Sequence, residues 1–386
     1  SITVNENPTA ISSTSTGTVC EGATISLTGG ASGGSGNYTN YSWSGPSSYT
    51  SSTQSPTISA NATTVMSGSY SLTVTDDNSC VSSSSSTSIT VNENPVAGSG
   101  DAMSAICQGG ISAAMNGTAT GGATGGTWSG GSGSWTNASN PSTATYTAGA
   151  SESGSITLTL TTSGGSCGTT TATKSITVNE NPTAISSTST GTVCEGATIS
   201  LTGGASGGSG NYTNYSWSGP SSYTSSTQSP TISANATTVM SGSYSLTVTD
   251  DNSCVSSSSS TSITVNTVPV AGAISGTNNI GIGETSQLST NGDAGGTWTS
   301  NNISVATVNS STGLVTGVSA GSLTITYTKT SPPCVESSTT YSITVNSTIH
   351  STNDGNWSDI NTWPGGSKPT ATQNIRISHN VIVNEN

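Results

Sequence analysis

Apolar and polar residues alternate with a period of two along most of the chain, and clusters of Gly, Ser, Asn and Pro separate the alternating runs. This period places every second side chain on one face, as in a half-buried β-strand. Helical spacing is absent from the sequence. In the first repeat the apolar positions are Ala23, Ile25 and Leu27, then Tyr41 and Trp43, then Tyr70, Leu72 and Val74, and finally Ile89 and Val91. The pattern predicts an all-β fold of antiparallel sandwiches.

The pentapeptide Ser-Ile-Thr-Val-Asn sets the predicted domain organisation. It begins at Ser1, Ser88, Ser175, Ser262 and Ser342, and residues 1–92 recur unchanged as residues 175–266. The period is the size of a sandwich domain and is too long for a solenoid unit. The predicted order is a terminal strand of a preceding module (1–5), a first domain (6–92), a second (93–179), a third that copies the first (180–266), a fourth (267–346) and an incomplete β module (347–386).

The links between these domains are short and contain proline. Asn-Glu-Asn-Pro follows the pentapeptide at residues 5–8, 92–95 and 179–182. Proline stiffens a short link and prevents the preceding strand from continuing. We therefore expect the domains to form an extended rod.

Composition and charge exclude several functions. Hydrophobic residues make up 29% and charged residues 5% of the chain, which indicates small β modules with thin cores. Four Lys and Arg against seventeen Asp and Glu give a net charge of −13, too acidic for a nucleic-acid partner. No apolar run is long enough for a transmembrane segment, and no signal peptide opens the chain, so we expect that one was removed or lies upstream.

Seven cysteines occupy repeated positions. The members of each of three pairs lie 60 residues apart, and we predict the disulfides Cys20–Cys80, Cys107–Cys167 and Cys194–Cys254. Oxidised cysteines place the protein outside the cytoplasm. The fourth domain has Cys334 in the second position but Gly281 in the first. Cys334 is therefore predicted to be unpaired within its own domain, and it is either a free thiol left by drift or one half of an intermolecular or inter-domain bond.

The fourth domain resembles a known family. Residues 296–328 contain, in order, a Trp-Thr-Ser strand, Ser-Val-Ala-Thr-Val, Gly-Leu-Val-Thr-Gly and a final alternating strand, and they resemble the bacterial group 2 immunoglobulin-like (Ig-like) domain. The first three domains resemble the Ig-like and PKD-like repeats of large surface or secreted proteins of Bacteroidetes-type bacteria. Val19-Cys20-Glu21-Gly22 and the run from Tyr70 to Asp76 carry that resemblance. It implies export by the type IX route and a role as an adhesin, a gliding protein or a spacer in a secreted hydrolase.

The sequence does not predict an enzyme. The two histidines, His350 and His379, lie near the C-terminus, so no Ser-His-Asp arrangement can recur in the domains. No carboxylate pair is set apart as in a glycosidase, and the glycine-rich stretches lack the lysine of a phosphate-binding loop. Trp135 has no counterpart in the first domain, so it is either a core residue or an exposed contact residue.

Two acidic loops are candidates for a metal. Hard oxygen ligands in a loop suit Ca²⁺, and the linker residues Glu6, Glu93 and Glu180 could each add a ligand. Asp-Asp-Asn is also ordinary turn chemistry, so both interpretations stay open. The candidate calcium ligands are Asp76, Asp77, Asp250 and Asp251.

Two classes of function fit the sequence. The first is an extracellular adhesive or structural fibre whose partners are other copies of itself, other surface proteins or glycans. The second is the non-catalytic spacer of a secreted hydrolase, and a carbohydrate-binding module is a further alternative. The segments 1–5 and 347–386 suggest polymerisation by β-strand addition, with the first strand of one copy completing the unfinished module of the next. The alternative is that both are cut points in a longer chain.

Overall fold

In a computed structural model, the protein is described over residues 2–188, 191–347, 349–351, 353–363, 366, 368–370, 375–377, 379 and 381–382. Contacts between Cα atoms divide the chain into two compact units. The first comprises Ser1–Thr183, Gly207–Thr213 and Thr249–Ser256, and the second comprises Ala184–Ser206, Asn214–Val248 and Ser257–Asn386. The predicted all-β class is confirmed, because the described residues form β-strands and short 3₁₀ turns without an α-helix.

The first sandwich is built from two sheets. Its strands are β1 (Pro8–Thr14), β2 (Thr18–Cys20), β3 (Ile25–Gly33), β4 (Tyr38–Gly45), β5 (Tyr49–Ser51), β6 (Thr57–Ser59), β7 (Gly68–Asp76) and β8 (Ser85–Asn92), with 3₁₀ turns at Pro46–Ser48 and Thr64–Met66. One sheet has the order β1-β3-β6 and the other β2-β8-β7-β4-β5. Strand β2 runs parallel to β8, whereas β7 and β8 are antiparallel.

Alternation along these strands fills the space between the two sheets. Ile25, Trp43, Tyr70 and Leu72 are at most 1% exposed and belong to one core cluster. The indole N–H of buried Trp43 donates to the carbonyl of Gln54 (3.2 Å), so its only polar atom is paired. Trp43, which the alternating pattern places on the apolar face of its strand, is therefore a core residue.

The second module has a different sheet arrangement. Its strands are β9 (Pro95–Gly98), β10 (Ile106–Cys107), β11 (Thr118–Gly121), β12 (Gly125–Ser129), β13 (Ser134–Thr136), β14 (Thr145–Thr147), β15 (Gly154–Ser163) and β16 (Thr171–Asn179). The largest sheet has the order β10-β16-β15-β12, and β9 pairs with β11 and β13 with β14. Its core contains Trp128, Tyr146, Leu158 and Ile176.

The third module repeats the topology of the first. Its strands are β17 (Pro182–Thr188), β18 (Thr192–Cys194), β19 (Ile199–Gly207), β20 (Tyr212–Gly219), β21 (Tyr223–Ser225), β22 (Thr231–Ser233), β23 (Gly242–Asp250) and β24 (Ser259–Asn266), with 3₁₀ turns at Pro220–Ser222 and Thr238–Met240. The sheets are β17-β19-β22 and β18-β24-β23-β20-β21.

The fourth module precedes a terminal segment described only in part. Its strands are β25 (Ile274–Ser275), β26 (Asn279–Gly281), β27 (Thr285–Gln287), β28 (Ser289–Thr290), β29 (Thr297–Ser300), β30 (Ala306–Val308), β31 (Leu314–Gly317), β32 (Gly321–Ser331) and β33 (Cys334–Asn346). The sheets are β26-β33-β32-β29, β27-β31-β30 and β25-β28. In the terminal segment β34 (Ile349–His350) pairs with β36 (Ile375–Arg376) and β35 (Gly355–Asn356) with β37 (Val381–Ile382), and a 3₁₀ turn spans Ile360–Thr362. Ser1 and residues 383–386, at the ends of the two segments predicted to pair between copies, lie outside the described residues.

Within the described residues we find no helix with the length and hydropathy of a membrane span.

Candidate functional site: the disulfide joints between modules

The first cysteine of each pair ends a short strand beside the last strand of its own module. Cys20 is in register with Asn92, Cys107 with Asn179 and Cys194 with Asn266, and each of these pairings is parallel. Because the last strand runs towards the next module, the first cysteine lies at the module's C-terminal end.

The second cysteine lies at the opposite end of the sandwich. Cys80 follows the turn after β7, and the chain then runs the length of β8 (Ser85–Asn92) to reach Asn92, which lies beside Cys20. At about 3.4 Å per residue, that strand separates the two ends of the module by roughly 24 Å. A disulfide requires Cα atoms within about 7 Å of each other. Cys20 and Cys80 of one module therefore cannot be bonded.

The cysteines instead join each module to the next. The disulfides are Cys20–Cys167, Cys107–Cys254 and Cys194–Cys334, with Cα–Cα distances of 5.6, 5.5 and 5.5 Å. The predicted bonds Cys20–Cys80, Cys107–Cys167 and Cys194–Cys254 are wrong. Of the alternatives for Cys334, the unpaired thiol is wrong and the inter-domain bond is confirmed, because Cys334 is bonded to Cys194 of the third module. Among the described residues the free cysteine is Cys80. The repeated spacing of 60 could not reveal this, because in a tandem repeat pairing within modules and pairing between neighbours leave the same spacing.

The fourth module has a glycine at the position of the first cysteine. Gly281 is in register with Asn346, in parallel, and so occupies the place that Cys20, Cys107 and Cys194 occupy in their modules. The alignment of Gly281 with the first cysteine is confirmed. Residues 347–386 contain no cysteine.

Linker asparagines reinforce two of the joints. The side-chain amide of Asn94 donates to the carbonyl of Glu21 (3.2 Å), the residue after Cys20. Asn181 makes the same contact with the carbonyl of Gln108 (3.2 Å), the residue after Cys107, and its backbone N–H donates to the Gln108 side chain (3.1 Å). The second asparagine of the Asn-Glu-Asn-Pro linker therefore makes a specific contact with the preceding module.

The Asp76 carboxylate organises the loop that presents Cys80. It accepts backbone N–H groups from Ser35 (3.0 Å), Asn78 (3.0 Å) and Cys80 (2.9 Å). Burial alone would raise the pKa of Asp76, but these N–H donors outweigh it and hold the pKa below its ordinary value. Gly34, with φ of +62°, is required here, because a Cβ at this position would lie 2.8 Å from an Asp76 carboxylate oxygen.

The same loop in the third module presents a bonded cysteine. Asp250 accepts N–H groups from Ser209 (3.0 Å), Asn252 (3.0 Å) and Cys254 (2.9 Å). The sequence predicts a turn or a calcium site at Asp76 and Asp250. In the structure both carboxylates accept hydrogen bonds from backbone N–H groups. These two residues position a cysteine for the joint, a role that the sequence analysis missed.

Asp77 and Asp251 lie beside these loops without the same backbone contacts. The amide of Asn37 donates to Asp77 (3.3 Å) and that of Asn211 to Asp251 (3.2 Å). Hydrogen bonds from Ser209 and Asn211 lower the pKa of Asp251. In the described part of the chain, no three His, Cys, Asp or Glu side chains are grouped closely enough to hold a metal ion. Calcium binding at Asp76, Asp77, Asp250 and Asp251 remains a prediction.

The second module contains a buried polar cluster. Glu152, 7% exposed, accepts the Tyr146 hydroxyl and the backbone N–H groups of Ser132 (2.8 Å) and Gly149 (3.0 Å). Burial would raise the pKa of Glu152, but these donors lower it below its ordinary value. All three donors belong to the same module, Tyr146 to strand β14 and the other two to loops, which indicates a structural role for the carboxylate.

Trp135 is half-buried and packs against the core of the same module. Its ring stacks on Trp128 at a centroid distance of 6.0 Å and contacts Tyr146 at 5.1 Å. Its indole N–H donates to the carbonyl of Gly130 (3.2 Å). Of the two interpretations left open by the sequence, packing against the core is the one that the structure supports.

Surface depressions recur at one place in the first and third modules. One, of about 410 Å³, is lined by Asn40, Tyr41, Ser42, Trp43 and Thr50–Ser52, and the other, of about 540 Å³, by Asn214–Ser218 and Thr224–Ser226. Neither lining contains a carboxylate, an imidazole or an amine, the groups that general acid–base chemistry uses most often. Ig-like folds are typically non-catalytic.

Comparison with known proteins finds similar solved structures at low sequence identity. No curated protein matches the sequence. Similar solved structures include the I-band fragment I67–I69 from titin (13% identity, TM-score 0.39, covering 69% of this chain and 99% of that one). The three N-terminal domains of the bacteriophage RB49 highly immunogenic outer capsid protein are also similar (13% identity, TM-score 0.31, covering 88% and 98%). Similarity this low supports no inference about function.

The family comparison concerns the end of the third module and most of the fourth. Residues 261–337 match the model described as bacterial Ig-like domain (group 2). The resemblance inferred from the Trp-Thr-Ser and Gly-Leu-Val-Thr-Gly segments is thereby confirmed. The chain is an all-β protein of tandem β modules, and residues 261–337 match the bacterial group 2 Ig-like family.

Proposed function

We propose that this protein is a non-catalytic structural and adhesive element of a bacterial cell surface, in which tandem Ig-like modules form a stalk that presents contact surfaces to other surface proteins, glycans or further copies. The observation that carries the proposal is the set of disulfides between neighbouring modules. Disulfides persist in oxidising, extracellular environments. An enzyme core would not need its modules bonded in series, whereas a stalk must keep them in fixed succession.

The energetic argument supports the same role. In the chain-entropy model, closing loops of 147, 147 and 140 residues stabilises the folded state by about 5 kcal/mol per bond when each is taken alone. Modules of this size have small cores and are only marginally stable alone. Bonds between neighbours also oppose the separation of modules, which a bond within one module would not do.

Peptide mapping without reduction tests the joints. Because residues 1–92 and 175–266 are identical, peptides with Cys20 and Cys194 share one sequence, as do those with Cys80 and Cys254. We expect the shared Cys20/Cys194 peptide linked to Cys167 and to Cys334, and the Cys107 peptide linked to the shared Cys80/Cys254 peptide. The last link should persist in a Cys80→Ser variant. A Cys107–Cys167 link would contradict the proposal.

Labelling of intact cells tests the location. Antibodies against the purified chain should stain unpermeabilised cells of the source bacterium, and a strain without the gene should lose attachment to surfaces or to other cells. Staining only after permeabilisation would overturn the proposal.

The sequence of the full-length gene distinguishes a stalk from a hydrolase spacer, because a catalytic domain in the same polypeptide would favour the spacer.

A further inference from the structure

A recess opens in the first module where strand β5 ends beside β4. Strand β4 pairs with β7 between Tyr38 and Ser44, whereas β5 pairs only with the last residues of β4, Trp43–Gly45. In the described part of the chain, no strand pairs with residues 40–42 on the side away from β7. These residues, together with Trp43 and Thr50–Ser52, line a recess of about 410 Å³. The recess is therefore a step in the edge of the sheet.

The third module has the same recess. Strand β21 pairs only with Trp217–Gly219 of β20, and residues Asn214–Ser218 and Thr224–Ser226 line a recess of about 540 Å³. Both volumes fall in the range of small-molecule sites, about 300–1,000 Å³. Because the two modules have identical sequences, each chain carries two copies of any site formed here.

The linings offer amide, hydroxyl and aromatic groups and no charged side chain. In the first module Asn40 supplies the amide, and Ser42 and Thr50–Ser52 supply hydroxyls. Trp43 is 1% exposed, so the half-buried Tyr41 is the aromatic residue that a ligand can reach. Amides and hydroxyls donate and accept hydrogen bonds, and an aromatic ring offers an apolar face. A neutral sugar presents the complementary groups, which are hydroxyls and C–H faces.

The fold does not use the hydroxyl of Tyr41 or of Tyr215. The ring of Tyr41 packs against the core of its module. Among the described residues, however, neither of these two hydroxyls has a hydrogen-bond partner. Tyr38, on the same strand as Tyr41, differs because its hydroxyl donates to the carbonyl of Gly33 (3.1 Å). The hydroxyls of Tyr41 and Tyr215 are therefore available to a ligand.

The recess of the fourth module has polar groups that are already paired. It measures about 310 Å³ and is lined in part by Gln287 and Tyr327. The Gln287 amide donates to the carbonyls of Leu288 (2.8 Å) and Thr312 (2.6 Å). The Tyr327 hydroxyl donates to the carbonyl of Asp293. These groups stabilise the module itself, so we assign no site there.

We propose that the recesses beside Tyr41 and Tyr215 bind neutral glycan chains, with one sugar unit in each recess. The proposal rests on the proposed role as a surface stalk and names the class of glycan that the stalk binds. Anionic glycans are excluded, because no lysine or arginine lines either recess and the net charge of −13 repels them. A polymer repeats the same sugar many times, so it is retained more strongly than the free monosaccharide.

An extended peptide is the competing occupant of a free strand edge. The free edge is short, because it comprises only Asn40–Ser42 before β5 begins to pair. On its other side the register of β4 shifts between Tyr38 and Asn40. Such irregularities and short edges are common means of preventing strand addition. The geometry therefore favours a compact sugar unit over an added strand.

Affinity electrophoresis of the full chain, in gels that contain a polysaccharide, tests the proposal. The neutral probes are dextran, laminarin, mannan and galactan, which differ in sugar and linkage, and polygalacturonate is the anionic control. We expect at least one neutral polymer to retard the chain and polygalacturonate to leave its mobility unchanged. Retardation by none of the four neutral polymers would overturn the proposal, as would retardation by polygalacturonate alone.

Matched variants locate the binding. Tyr41→Phe with Tyr215→Phe removes the two hydroxyls but keeps the rings, and it should weaken the affinity for the retained polymer about two- to tenfold. Tyr38→Phe with Tyr212→Phe makes the same change on the same strands, at hydroxyls that donate to backbone carbonyls, and it should leave the affinity unchanged. Equal affinities of the two double variants would overturn the proposal.

Competition distinguishes a sugar from a peptide. The monosaccharide of the retained polymer should restore the mobility of the chain, whereas a peptide with the strand sequence of residues 85–92 should not. Displacement by the peptide alone would overturn the proposal, because strand addition would then be the mode of binding. A chain that binds no glycan would still stain intact cells if it is a surface stalk, so the two proposals fail separately.

Discussion

The first and third modules have the same sequence but differ in how their joints are completed. Their cores are alike, with Trp43 and Trp217 both 1% exposed and both donating to a glutamine carbonyl at 3.2 Å. Their cysteines differ, because Cys254 is buried in a disulfide and Cys80 is a half-buried thiol. The interior of such a module is therefore set by its own residues, whereas the state of its cysteine is set by its neighbour.

The largest expected effect is a loss of folding stability that is common to both modules. Trp43→Ala and Trp217→Ala should each destabilise their module by about 3–5 kcal/mol, because each removes the largest buried side chain of the core. Urea unfolding followed by circular dichroism measures the shift. The two variants should agree closely, and a much smaller loss for one of them would show that the joint, rather than the core, dominates the stability of that module.

A second prediction distinguishes the third module from the first by the effect of removing its cysteine on stability. Removing the joint with Cys107→Ser and Cys254→Ser should cost about 2–5 kcal/mol of unfolding free energy, with the loop-closure value as the upper end. Cys80→Ser, in the identical loop, should change it by no more than about 0.5 kcal/mol. The comparison is made in the same unfolding assay, and equal effects of the two changes would contradict the assignment of Cys80 as the free thiol.

The third prediction concerns the aspartate that holds each cysteine loop. Asp76→Asn and Asp250→Asn should both lower the melting temperature, because an amide group turns an N–H towards backbone N–H donors, while Asp77→Asn should change it little. The folded-state pKa of Asp76 is depressed, so its carboxylate stabilises the fold above the unfolded pKa of about 3.9. That stabilisation is lost as the pH falls through the folded pKa. The difference between the wild type and Asp76→Asn should therefore shrink below about pH 4, and a constant difference would contradict this role.

The smallest expected effect is that of calcium. If the acidic loops bind Ca²⁺, its addition should raise the melting temperature slightly and Asp77→Asn together with Asp251→Asn should abolish the rise. The rise is expected to be small because the Asp76 and Asp250 carboxylates already accept backbone N–H groups. A melting temperature that responds to neither calcium nor EDTA would leave these residues with a structural role alone.

The sequence predicts what depends on local pattern. The alternation at Ile25, Leu27, Leu72 and Val74 identifies side chains that are at most 1% exposed, because a strand's period of two decides which face meets the core. The alignment of Gly281 with the first cysteine also follows from the repeat, and the register with Asn346 confirms it.

The disulfide pairing could not be predicted in the same way. It depends on which ends of successive sandwiches meet, and the spacing of 60 residues between Cys20 and Cys80 describes positions along the chain rather than in space. The sequence does not show that Thr18–Cys20 pairs in parallel with β8. This pairing places Cys20 at the end of the module opposite to Cys80. The role of Asp76 was missed for a related reason. The sequence Asp-Asp-Asn alone does not show from which backbone N–H groups the carboxylate accepts hydrogen bonds.

The staggered disulfides also limit how far the chain can be drawn out by tension. A force applied to the two ends passes along the shortest covalent path, which crosses from Cys20 to Cys167 and from Cys194 to Cys334. That path includes about 100 residues, so even with every sandwich unravelled it spans only about 350 Å, against about 1,300 Å for the fully reduced chain. If the protein is the surface stalk proposed above, shear would unfold modules without letting the chain lengthen to its full contour, and reduction of the disulfides would remove that limit.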